Sequence, residues 1–85
     1  MKTKFITIDN SKNNHVVKVG VTEYFFSYET LIATRNVNTN KVTLDIQHWD
    51  YSVTTSKYRN MFLRETTKET QAKINSKEYK LKELN

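Results

Sequence analysis

The sequence predicts a small α+β domain: an antiparallel sheet of four to five strands, with one or two C-terminal helices packed on one of its faces. Three observations predict it. Apolar residues alternate with period two through most of the first fifty positions, the spacing turns helical after Val53, and clusters of Ser and Thr that can cap helices stand where the pattern changes. A single domain over residues 1–85 accommodates all three, with 1–52 mainly strands, 53–77 helical and 78–84 a candidate edge strand.

Phe5, Ile6 and Ile8 open the first strand, which ends in the turn formers Asp9 to Asn14. His15 to Val21 forms the next, with Val17, Val19 and Val21 on one face and Gly20 marking a bulge or a close backbone approach. A long extended stretch then places Tyr24, Phe26, Tyr28, Thr30 and Ile32 on one side and Phe25, Ser27, Glu29, Leu31 and Ala33 on the other. Bulk on both faces predicts a central strand, or one covered on both sides. Arg35 to Asn40 reads as a hairpin loop in which Asn supplies the positive φ that Gly usually supplies. The return strand buries Val42, Leu44 and Ile46, and its alternation slips after His48.

Ser52 to Ser56 can cap a helix over about 54–64, whose stripe of Tyr58, Met61 and Phe62 docks on the sheet. Thr66-Thr67-Lys68-Glu69 is a capping box that starts a second, short helix with Ala72 and Ile74 as its apolar contacts, ending near Ser76. Glu78 to Lys82 alternates again, either as a lysine-protected edge strand or as a continuation of the helix.

Composition narrows the function. The chain has 85 residues, net charge +5, no Cys, no Pro and one Gly. A disulfide framework, a thiolate nucleophile and a glycine-rich phosphate loop are thereby excluded. No apolar run approaches a membrane span and the N-terminal residues do not read as a signal peptide, so the expected location is the cytoplasm. The two imidazoles, His15 and His48, have no second His at ligand spacing, and Asp45 and Asp50, five apart across a predicted bulge, do not aim both carboxylates at one bond. The expectation is a protein without catalytic residues, metal or cofactor.

Charge is concentrated: residues 55–85 hold eight basic and four acidic side chains, against six and five in residues 1–54. Lys57, Arg59, Arg64, Lys68 and Lys73 are therefore candidate contacts to a partner or to nucleic acid, with Trp49 and Tyr51 as aromatic anchors or as a core corner. Interleaved Glu65, Glu69, Glu78 and Glu83 favour a solvated mixed-charge surface over a uniform nucleic-acid footprint.

The pattern Phe26-Ser27-Tyr28-x-Thr30-x-Ile32-Ala33, followed by Trp49-x-Tyr51-Ser52-x-Thr54-Thr55-x-Lys57-Tyr58 and Phe62-Leu63, resembles a group of small, mostly uncharacterised proteins of bacteriophages and related mobile elements. It covers residues 24 to 64, with weaker similarity through Tyr79 to Leu81. The resemblance implies a phage-encoded accessory protein in the host bacterial cytoplasm, and such proteins are often inhibitors of a host or defence component, anti-CRISPR proteins among them. The expected function is non-enzymatic binding and inhibition of a bacterial protein or ribonucleoprotein. The alternatives are direct DNA or RNA binding and a phage structural or assembly role, with self-association left open.

Overall fold

A computed structural model of the chain describes residues 3–7 and 13–85. Eight elements follow in order: β1 (Thr3–Thr7), β2 (Asn14–Val19), β3 (Thr22–Ser27), β4 (Thr30–Asn36), β5 (Val42–Asp45), α1 (Val53–Leu63), α2 (Thr67–Asn75) and β6 (Lys80–Lys82). The class is α+β, with the helices following the main run of strands. The six strands lie in sequence order in one sheet, antiparallel from β1 to β5. β6 joins β5 in parallel, a pairing that requires a crossover, and α1 and α2 supply it. The sheet is thus mixed, one strand wider than the antiparallel alternation predicts. The expected turn at 9–14 lies mostly outside the described residues.

Local chemistry explains the hairpins and two departures from expectation. Gly20, at φ 61°, opens the two-residue turn between β2 and β3 and is not a bulge within a strand. The long stretch from Tyr24 to Ala33 is two strands joined at Tyr28-Glu29, with Tyr28 at φ 58°. A tyrosine in the left-handed region is strained, and its N–H is held by the Asn13 carbonyl. The bulge lies in β4: Phe25 pairs with Ala33 and Phe26 with Leu31, so Ile32 is the extra residue, buried beside Ala33. In the next hairpin Asn36 Oδ1 accepts from the N–H groups of Asn38 and Thr39, and Asn40 takes φ 58°. Asn there does what the sequence assigns to it.

The helices cover one face only. Val16, Phe25, Ile32, Ala33, Val42 and Leu44 meet Phe62, Leu63 and Tyr79 in one core, and the Phe25 and Phe62 rings stack 5.4 Å apart. Ser27 and Thr55 share a buried hydrogen bond of 2.9 Å across the interface. Arg35 joins sheet to helix end, bonding Glu23 twice and the Phe62 carbonyl once. β5 stops at Asp45, whose carbonyl accepts from His48 and Trp49, so the alternation ends before Ile46 and that side chain is exposed.

α1 starts where Ser52 Oγ accepts from the Thr55 N–H, and its inward side chains are Thr55, Arg59, Phe62 and Leu63. The expected stripe is therefore rotated: Phe62 is inside and Tyr58 half-buried, but Met61 faces solvent. In α2 the capping box is fully formed, with Thr66 Oγ1 accepting from the Glu69 N–H and Glu69 Oε1 from the Thr66 N–H. Ile74 packs on the core as expected, whereas Ala72 is exposed and Thr70 is the buried residue. Thr66→Ala is expected to cost about 1 kcal/mol in urea unfolding, because the Glu69 N–H at the start of α2 loses its Oγ1 acceptor, while the Glu69 carboxylate still receives the backbone N–H of position 66.

Candidate functional site

The segment 46–52 turns sharply between β5 and α1 and is fastened by a buried arginine. Arg59 is 0% exposed. Its Nη1 donates to the Trp49 carbonyl, to Asp50 Oδ1 at 3.3 Å and to Ser56 Oγ at 3.3 Å. Its Nη2 donates to Asn60 Oδ1 at 2.9 Å and to Thr67 Oγ1 at 2.7 Å. The guanidinium carbon lies 5.1 Å from the Trp49 ring centroid, so the ring's π-face also meets the cation. Burial lowers the Arg59 pKa and the Asp50 carboxylate opposes that shift; guanidinium remains charged. One side chain therefore ties the connecting segment, α1 and the first residue of α2.

Against this cage lies an open cleft of about 770 Å³, lined in part by Asp50, Ser52, Ser56, Asn60 and Thr67. Tyr51, Val53 and Lys57 complete its wall. Val53 is 90% exposed, Tyr51 47% and Met61 43%. Val53, Lys57 and Met61 follow at i, i+4 and i+8, which puts them on one outward face of α1, and Arg64, exposed, caps the helix C-terminus in the left-handed conformation. An uncovered Tyr, Val and Met beside a polar cleft form a patch of the composition found at protein interfaces.

The structure divides the sequence candidates by burial and by internal pairing. Lys57, Arg64 and Tyr51 lie on the exposed patch, and Lys68 is exposed on α2. Arg59 is a correction: its charge is consumed by internal acceptors, and no partner can reach it while the cage is closed. Trp49 is half-buried, packs on the core and receives the arginine, so the core-corner reading holds for it. Lys73 is engaged at home, its Nζ 2.7 Å from Glu65 Oε1 and 5.3 Å from the Tyr79 ring. Glu65 also accepts from Tyr79 Oη at 2.8 Å and Thr70 Oγ1 at 2.6 Å. Burial alone would raise the Glu65 pKa, but the Lys73, Thr70 and Tyr79 donors outweigh it and hold the carboxyl below its ordinary value. The same carboxylate raises the Lys73 pKa.

Sequence reasoning missed Val53 and Met61, the first because it stood among cap formers and the second because it fitted the assumed buried stripe. His48 Nδ1 donates to Asp45 Oδ2, and its ring meets Tyr51 edge-on at 5.3 Å. Asp45 is desolvated, which raises its pKa, yet the Leu84 N–H, His48 and Asn85 bring it below the ordinary value. Among the described residues no group of three or more His, Asp or Glu converges as a metal site, and no helix is long and apolar enough to cross a membrane. No curated protein and no solved structure matches the chain. Residues 2–80 match a protein family of unknown function, DUF8033, and the chain belongs to that family.

Proposed function

We propose that the protein is a non-enzymatic binding module that docks on a bacterial protein or ribonucleoprotein and blocks it by occupancy. The observation that carries this reading is the outward face of α1, where Tyr51, Val53 and Met61 stay uncovered beside the cleft while Lys57 and Arg64 add positive charge. Apolar anchors framed by cations suit a partner surface with an apolar recess and an acidic rim. The rigid cage beneath keeps the patch in place before binding, so little ordering is left to oppose association. The phage setting and the inhibitory role follow from the motif resemblance and complete the proposal.

Val53→Asp combined with Met61→Glu tests it. Both side chains are solvent-facing, so folding stability should change by less than about 0.5 kcal/mol. Nuclease-treated host lysate passed over the wild type should yield a dominant protein, and affinity for that protein should fall at least about tenfold in the double variant. Equal capture by wild type and variant would remove α1 from the interface and sink the proposal.

A further inference from the structure

The helices leave the opposite face of the sheet uncovered among the described residues, and the strand register arranges that face in rows. One row runs Val17, Tyr24, Thr34, Thr43, Lys80 across β2 to β6. A neighbouring row runs His15, Phe26, Leu31, with the His15 and Phe26 rings stacked 5.6 Å apart. Tyr24 and Phe26 are only half-buried, although a central strand with bulk on both sides is expected to be covered on both. Lys80 and Lys82, both exposed, carry charge on this side of β6, and Lys41 stands two residues before Thr43 with the same parity. The strand carboxylate of matching register, Asp45 opposite Lys82, is buried and taken by the Leu84 N–H and His48.

We propose that this open face binds single-stranded nucleic acid, with bases on Tyr24 and Phe26 and phosphates along Lys41, Lys80 and Lys82. One row divides the labour: an aromatic ring at β3, threonine hydroxyls on β4 and β5, and an ammonium group at β6. Three strand spacings separate the ring from the ammonium, about 14 Å, so an extended strand crossing the sheet meets both. Bases stack on aromatics irrespective of sequence, and lysines neutralise the backbone. Charge complementarity selects this occupant over a second copy of the chain, since among the described residues the exposed charges of the face, Lys41, Lys80 and Lys82, are cations and two such faces would oppose like charge. The site is separate from the α1 patch, on the other side of the sheet.

Fluorescence anisotropy with labelled oligo(dT) and oligo(U), and a duplex of equal length, tests it at two salt concentrations. Single strands should bind with roughly micromolar Kd at low salt and weaken steeply as salt rises, with the duplex weaker. Tyr24→Leu with Phe26→Leu, checked by circular dichroism for a native fold, should weaken binding at least about tenfold with the salt slope unchanged. Lys80→Glu with Lys82→Glu, both on exposed positions and likewise checked by circular dichroism for a native fold, should weaken binding and reduce the slope by about two. Val53→Asp/Met61→Glu should bind as wild type, which separates failure here from failure of the α1 proposal. The proposal is overturned by absence of binding at low salt, by a preference for duplex, or by binding that the lysine reversals leave intact. Concentration-dependent dimerisation on sizing chromatography that the Tyr24/Phe26 variant abolishes would likewise overturn it, by assigning the face to a second copy.

Discussion

Arg59→Met should destabilise the protein by about 3–5 kcal/mol, the range expected when one member of a buried charge network is removed. Methionine fills much of the arginine's volume, so the loss reports the hydrogen bonds and the cation rather than a cavity. Left behind are the Trp49 carbonyl, Asn60 Oδ1 and Thr67 Oγ1, each deprived of a charged donor. Asp50 is half-exposed and turns to water at little cost, so its share of the loss is small. For a domain of this size each kcal/mol moves Tm by roughly 4–8 °C, so thermal unfolding should show a fall of more than about 12 °C. Arg59→Lys should recover only part of it, because an ammonium cannot span acceptors on three segments. A change in Tm of under about 4 °C for Arg59→Met would show that the cage is incidental to stability.

Glu65→Gln should cost about 2–3 kcal/mol at neutral pH, and the cost should depend on pH in a definite direction. The carboxylate receives Lys73, Tyr79 and Thr70, whereas an amide offers one oxygen and sets an N–H group against one of those donors. Lys73 is partly exposed, so solvent screens its part of the interaction. Because the folded-state pKa of Glu65 lies below its unfolded value, its stabilisation is complete above the ordinary carboxylate range and is lost as pH falls through the folded value. Lys73 has a raised pKa, so its contribution is intact throughout neutral and mildly alkaline pH. The difference between wild type and variant should hold steady from about pH 6 to 8 and shrink below about pH 4 in urea titrations. A gap that is the same at low pH would mean that the charge of Glu65 contributes nothing. Asp45 adds to the wild type's acid sensitivity with the same sign, since its pKa is also lowered.

Period and cap chemistry were enough to read the class, the helices and most strands, because Val42 and Leu44, the Asn36–Asn40 loop and the Thr66/Glu69 box each state their structure within a few residues. Three features were not legible for reasons specific to the residues. The Tyr28-Glu29 turn has no Gly, Asn or Pro, and Tyr28 takes positive φ because the surrounding hairpin requires it. Arg59 looked like a surface cation because its acceptors come from Trp49, Asn60 and Thr67, which only the turn into α2 brings together. Met61 fitted a buried spacing as well as an exposed one, and the packing of Phe62 and Leu63 decided which face turned inward. The candidate site was visible through Tyr51 and Lys57, while Val53 and the uncovered side of β3 became apparent only once the layers were placed.

The parallel seam between β5 and β6 sets an order on how the sheet can assemble. Strands β1 to β5 join by hairpins whose partners are near neighbours in the chain, so each ladder closes a short loop. Thr43 pairs with Lys80 across the whole helical connection. Closing that long loop before the helices form would lose chain entropy with few contacts in return, which makes the seam a late event. Once closed, it is reinforced where β5 ends: the Asn85 side chain bonds both the N–H and the carbonyl of Leu31, taking the place of a strand beside β4. The long-range seam and the latch beside it thus occupy the same edge of the sheet.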